Sequence, residues 1–164
     1  MRIIDRLGLL LCDLQGEVFE QSIGLAETSS EIFIRRFMYS KTAKMLDDET
    51  IIASNTQAKD IVEMVEEEYG ASKYGSVKYS RDEMHWIGYL YRYFAYTYNI
   101  SSKQVYKIVK PKELRKLYPA YHTLGVDQAI ERILEAKGLK LQEDELRRQY
   151  EIFKEIREKS PRYE

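Results

Sequence analysis

Two histidines, His85 and His122, and a single cysteine, Cys12, are the side chains best suited to nucleophilic or metal chemistry in this 164-residue chain. Their spacing supports neither. The histidines stand 37 residues apart with no cysteine near either, so no zinc-ligand spacing exists. With no second cysteine, an internal disulfide is excluded, and Leu11 and Leu14 flank Cys12 as they would a buried small hydrophobe. Asp47, Asp48 and Glu49 form an acidic run without a partner base, and no glycine pattern for a phosphate loop or a dinucleotide turn occurs. Nothing marks a nucleophile. The expectation is a non-enzymatic protein with no catalytic residue, cofactor or metal ligand.

Binding chemistry is better represented. Lys103, Lys107, Lys110, Lys112, Arg115 and Lys116 crowd one segment, with Tyr106, Tyr118 and Tyr121 interleaved. Cations between aromatic rings suit nucleic acid, and the turn at 99–102 has the proportions of a helix-turn-helix. The would-be recognition helix, SSKQVYKIV, carries few base-reading side chains beyond Gln104. The alternative is a solvated face that balances acidic charge elsewhere. Tyrosine is abundant, with fourteen copies, nine of them from Tyr79 to Tyr121. Trp86, Tyr89, Tyr93 and Tyr96 are the candidate protein-contact residues, because such rings give large contact area with a polar tip. A small-molecule pocket among the tyrosines is a third option.

These residues need a scaffold, and its centre is the stretch from Tyr79 to Asn99. Ser80 with Glu83 has the spacing of a capping box, and the residues after it are apolar or aromatic on nearly every side. A helix of that kind, about 81–98, is buried on more than one face. Around it the spacing of apolar residues predicts further helices. The first runs from Ile3 to about Ile23 with Leu7, Leu10, Leu11, Leu14 and Val18 on one stripe, and Gly8 and Gly16 set for close packing. A second continues from the caps Thr28, Ser29 and Ser30 to Leu46. Ser54 with Gln57 is expected to open a third, reaching Tyr69. Residues 70–79 form a loop. Ser101 with Gln104 caps a short helix; Pro111 starts another that Pro119 ends; Val126–Lys137 is followed by Gly138 as its stop. The fold class is all-α, a bundle of about seven or eight helices. Residues 1–140 make one domain, and 141–164 form a charged amphipathic helix that packs on the body or on a partner, including a second copy of the chain.

Charge divides along the chain. Residues 1–70 carry a net charge of −7, residues 71–125 carry +7 and the remainder −1. The short apolar run near the N-terminus is bracketed by Asp5 and Asp13, too short for a membrane span and without a cleavage site. No membrane association and a cytoplasmic location are expected.

Three blocks, SSEIFIRRFMYSKTAKMLD (29–47), YSRDEMHWIGYLYRYFAYTYNISSKQVYKIVKPKELRKLYPAYHTLG (79–125) and DQAIERILEAKG (127–138), resemble a family of small bacterial proteins. Members are encoded beside a predicted toxin with an ADP-ribosyltransferase-like fold. The resemblance covers about half the chain and implies an antitoxin that neutralises its cognate toxin by direct contact. It carries over no catalytic residue. A nucleic-acid-binding regulator using residues 103–116 is the alternative function.

Overall fold

Ser80 and Glu83 close the expected reciprocal cap: the serine Oγ accepts the Glu83 N–H at 3.2 Å, and the Glu83 carboxylate accepts the Ser80 N–H at 3.1 Å. The helix they start spans Arg81–Tyr98, and Asn99 ends it in the left-handed region at φ 53°. In this computed structural model, which describes residues 1–141 and 152–159, every regular element among the described residues is helical. In order these are α1 (Arg6–Leu25), α2 (Ser30–Tyr39), α3 (Lys41–Asp47), a 3₁₀ turn (Thr50–Ser54), α4 (Ala58–Tyr69), α5 (Arg81–Tyr98), α6 (Ser102–Ile108), α7 (Pro111–Tyr121) and α8 (Val126–Ala136). Residues 152–159 are also helical, with Ile152 and Phe153 exposed. The expected C-terminal helix otherwise falls on 142–151 and 160–164, outside the described residues. None of the described helices is long and apolar enough to cross a membrane.

The largest contact in the fold joins α1 to α5. Gly16 lies under the His85 ring, Gly8 under Tyr96, and Gln15 donates to the Gly88 carbonyl at 3.0 Å, so the two helices run antiparallel. A β-carbon at Gly88 would stand 2.6 Å from the Gln15 carbonyl oxygen. The glycines therefore act as spacers that let two backbones approach, as their placement in a helix interior suggests. The buried stripe of α1 is Gly8, Leu11, Cys12, Gln15, Gly16, Val18, Phe19 and Ser22. Leu10, expected on that stripe, is 60% exposed. Phe19 takes its place in the core, meeting Phe37 edge-on at 5.1 Å and Phe33 at 6.0 Å. Such pairs add about 0.5–1.5 kcal/mol each beyond the area they bury.

Several boundaries differ from the sequence expectation, each for a local reason; α1 starts at Arg6 rather than Ile3 because Asp5 caps it by accepting the Gly8 N–H. Ser40 divides the second helix in two: its backbone turns extended at ψ 160°, and its Oγ accepts the Ala43 N–H at 3.0 Å to cap α3. The cap of α4 is Gln57 with Asp60, while Ser54 closes the 3₁₀ turn by donating to the Ile51 carbonyl. Pro119 sits inside α7 without ending it, because it removes a single amide near the C-terminus of an exposed face. Gly24 lies within α1, which continues to Leu25. By contrast Ser101 with Gln104, and Pro111 at the start of α7, act as their types predict.

The loop 70–79 is tied down. Ser29 and Ser30 donate their N–H groups to the carbonyls of Tyr74 and Val77 at 2.9 and 3.0 Å, and Tyr79 N–H returns to Ser30 Oγ at 2.9 Å. The loop thus supplies acceptors to the first amides of α2, which have no partner within the helix.

Candidate binding surfaces

The four aromatic residues singled out on α5 separate into two kinds. Trp86 and Tyr96 are only 8% and 6% exposed. The Trp86 ring meets Tyr118 of α7 edge-on at 5.6 Å. Tyr96 donates its hydroxyl to Asp5, the cap of α1, at 2.5 Å, while Arg2 lies 3.9 Å over its ring. Both are built into the body and tie the N-terminal segment and α7 to α5.

Tyr89 and Tyr93 are half-buried and stack with each other at 6.4 Å; His85 stacks on Tyr89 at the same separation. The three rings lie one turn apart and make a strip about 12 Å long. Burial pushes the Tyr89 hydroxyl up to about 12 and raises Tyr93, so both rings keep their donor proton at neutral pH. Leu9, Asp13, Gly16 and Glu20 share the neighbouring edge of α1 by their three- and four-residue spacing. Glu20 accepts Arg81 at 2.6 and 2.9 Å and lies 3.3 Å from His85 Nδ1. The Arg81 hydrogen bond holds the Glu20 carboxyl below its ordinary range. Asp127, in the first turn of α8, interacts with Tyr93 from the other side. The strip is aromatic along its length and acidic at its rim.

The cations of 103–116 do not form one surface. Arg115 pairs with Glu83 at 3.1 Å and lies 4.3 Å over the Tyr79 ring, so it anchors α7 to the start of α5. Lys112 and Lys116 are exposed on α7. Lys103 and Lys107 project from α6, with Lys110 just after it, and here α6 meets α2. Lys103 Nζ stands 5.2 Å over the Tyr39 ring, Lys110 Nζ 4.2 Å over Tyr106, and the two rings touch edge-on at 5.5 Å. Beyond Tyr39, Arg36 lies 5.6 Å over Tyr69 and donates to the Gly70 carbonyl at 3.2 Å. Ile32, Arg35, Arg36, Tyr39 and Tyr69 line an open groove of about 360 Å³. In the sequence Arg35 and Arg36 stand only as the outer side of their helix and Tyr69 only as part of an apolar stripe, with no binding role for these or for Tyr39. The usable signal was an arginine pair followed, one turn later, by a tyrosine on the same helical face.

A helix-turn-helix is not presented. The helix before the turn is α5, buried on most sides, and the one after it is seven residues long with Ser102 and Val105 inside. Neither has the free length to lie across a duplex.

Arg92 is the residue whose role the sequence concealed. Its side chain is 2% exposed in the middle of the aromatic helix. Nε donates to Gln15 of α1 at 2.7 Å, Nη1 to Asp47 of α3 at 2.7 Å, and Nη2 to Ser102 of α6 at 2.8 Å. Asp47 also accepts the Ser102 N–H at 3.0 Å and its hydroxyl at 2.6 Å. A guanidinium bonded through each of its three nitrogens joins four helices. Cys12 lies in the same interior, where burial pushes its thiol up to about 12, the opposite of what a reactive thiolate needs. Among the described residues no group of three or more His, Cys, Asp or Glu side chains is arranged to hold a metal ion.

No protein-family model, curated protein or solved structure matches this chain.

Proposed function

We propose that this chain is a non-enzymatic cytoplasmic antitoxin, which neutralises a cognate toxin enzyme by direct contact through the His85–Tyr89–Tyr93 strip. The observation that carries the reading is that stack of partly exposed rings on the largely buried central helix of the fold. The resemblance of residues 29–47, 79–125 and 127–138 to the toxin-linked bacterial family supplies the kind of partner. Tyrosines fixed by burial on one side lose little side-chain entropy on binding, and rings of this kind dominate interface energies. Asp13 and Asp127 rim the strip, while Glu20 is balanced by Arg81, so basic groups on the toxin surface suit the Asp13 and Asp127 edges.

Co-expression with the neighbouring gene tests the proposal, with rescue from toxicity and a co-purifying complex as the expected result. Within that complex Tyr89→Ala and Tyr93→Ala should each weaken binding at least tenfold, which is about 1.4 kcal/mol, while lowering the melting temperature little. Trp86→Ala and Tyr96→Ala should do the reverse. A harmless neighbour, no complex, or equal losses of binding and stability at Tyr89 and Tyr93 would refute it.

A further inference from the structure

Among the described residues, a group of cations lies away from the α5 strip, on the face where α2 meets α6. We propose that this face is a binding site for single-stranded nucleic acid. The proposal is independent of the antitoxin reading.

Five cations share the face: Arg35 and Arg36 from α2, Lys103 and Lys107 from α6, and Lys110 after it. None of the five has a carboxylate partner among the described residues, whereas Arg115, Arg81 and Lys137 do. Two carboxylates of the adjoining elements, Glu68 and Glu31, bond neutral donors and keep their charge, so five cations outnumber them. Glu68 accepts the Lys41 N–H, and Glu31 accepts the Tyr79 hydroxyl. The face therefore holds net positive charge, where phosphates would replace solvent counterions.

Charge alone would suit any polyanion. The rings decide the class. Tyr39, Tyr69 and Tyr106 each lie beneath a cation, and Tyr39 is exposed beside a groove of about 360 Å³. That groove has the scale of a single nucleobase with its sugar, and Tyr39 and Tyr69 offer π-faces on which an unstacked base can lie. A duplex keeps its bases stacked and could use the cations but not the rings. An acidic polypeptide would use the cations and leave the groove unfilled. The line from Lys103 to Lys110 adds about 10 Å of backbone track beside the rings. Stacking of this kind tolerates any sequence, and DNA and RNA strands share it.

Fluorescence anisotropy with labelled dT12 and U12 strands tests the site in the full-length protein, and comparison of the two strands distinguishes DNA from RNA preference. Five phosphate contacts predict a log–log salt slope of about −3.5, so affinity should fall about 100-fold between 50 and 200 mM salt. The double variant Tyr39→Ala/Tyr106→Ala should lose at least tenfold. Lys103→Glu, a surface change that does not touch the core, should do the same and flatten the slope. Arg132→Glu makes the same charge change on α8 and should leave binding within twofold. Four results would overturn the assignment: no binding to either strand, a 12-base-pair duplex binding as tightly as the strands, ring variants that bind normally, or poly-glutamate displacing the strand as well as unlabelled dT12. The last would give the face to an acidic protein.

Discussion

Replacing Arg92 with methionine removes a positive charge but keeps most of the chain length. In the wild type its guanidinium makes three hydrogen bonds, to Gln15, Asp47 and Ser102. The losses at the far ends are unequal. Asp47 is 18% exposed and keeps both bonds from Ser102, so its charge stays partly solvated and partly paired. Gln15 is fully buried; its amide still donates to Gly88, but its carbonyl oxygen loses its donor. An orphaned buried acceptor costs about 1–3 kcal/mol, and removing one partner of a buried ion pair about 3–5 kcal/mol. Because Asp47 is partly relieved, about 4 kcal/mol is the expected loss for Arg92→Met. For a chain of this size that lowers the melting temperature by about 10 °C. Urea unfolding with Arg92→Met, Asp47→Asn and the double variant isolates the pair. A coupling of about 1–3 kcal/mol is expected, so the double variant loses less than the singles added together. A loss below about 1 kcal/mol for Arg92→Met, or strict additivity, would refute the claim that this arginine holds the four helices together.

Further outcomes rest on close packing and on capping. Gly88→Ala should destabilise the fold by about 1–3 kcal/mol, because the new β-carbon meets backbone at 2.6 Å. The same change at Gly24, where nothing lies within 4 Å, should stabilise by up to about 1 kcal/mol; urea midpoints of the two variants should move in opposite directions. Asp5 is held below its ordinary value of 3.8 by the Tyr96 hydroxyl and the Gly8 N–H. Its contribution is therefore present above that value and lost as pH falls through the lower, folded one. Asp5→Asn should flatten the acid limb of the melting curve below about pH 4 and leave the pH dependence near neutrality unchanged. Equal acid sensitivity in both proteins would contradict the assignment.

Local chemistry was legible wherever a structure depends on residues a few positions apart. The box of Ser80 and Glu83, the box of Ser101 and Gln104, Asn99 as a left-handed stop and Pro111 as a helix start all operate within one turn. The all-helical class followed from the same signals. Ser40 was harder, because a serine can sit in a helix and its role as end and start depends on what both halves pack against. Gln57 and Asp60 took the cap of α4 from Ser54, which the 3₁₀ turn had claimed. Long-range partnerships carried no local mark. Arg92 lies 77 residues from Gln15 and 45 from Asp47, and on the aromatic helix it resembles an ordinary solvent-facing cation. The α2–α6 face was half legible for the same reason. Its lysines lie together in sequence, but the arginines and Tyr39 come from a helix more than sixty residues earlier.

The arginine junction also has a bearing on how long a folded molecule lasts. Its partners come from α1, α3 and α6, so the guanidinium is satisfied only after all three have docked on α5. Interactions absent from the folding transition state leave the folding rate unchanged and appear wholly in the rate of unfolding. An energy of about 4 kcal/mol placed there corresponds to about a thousandfold in native-state lifetime. An Arg92 network completed after the folding barrier would act as a latch on the way out and leave the folding rate to the local caps and apolar stripes.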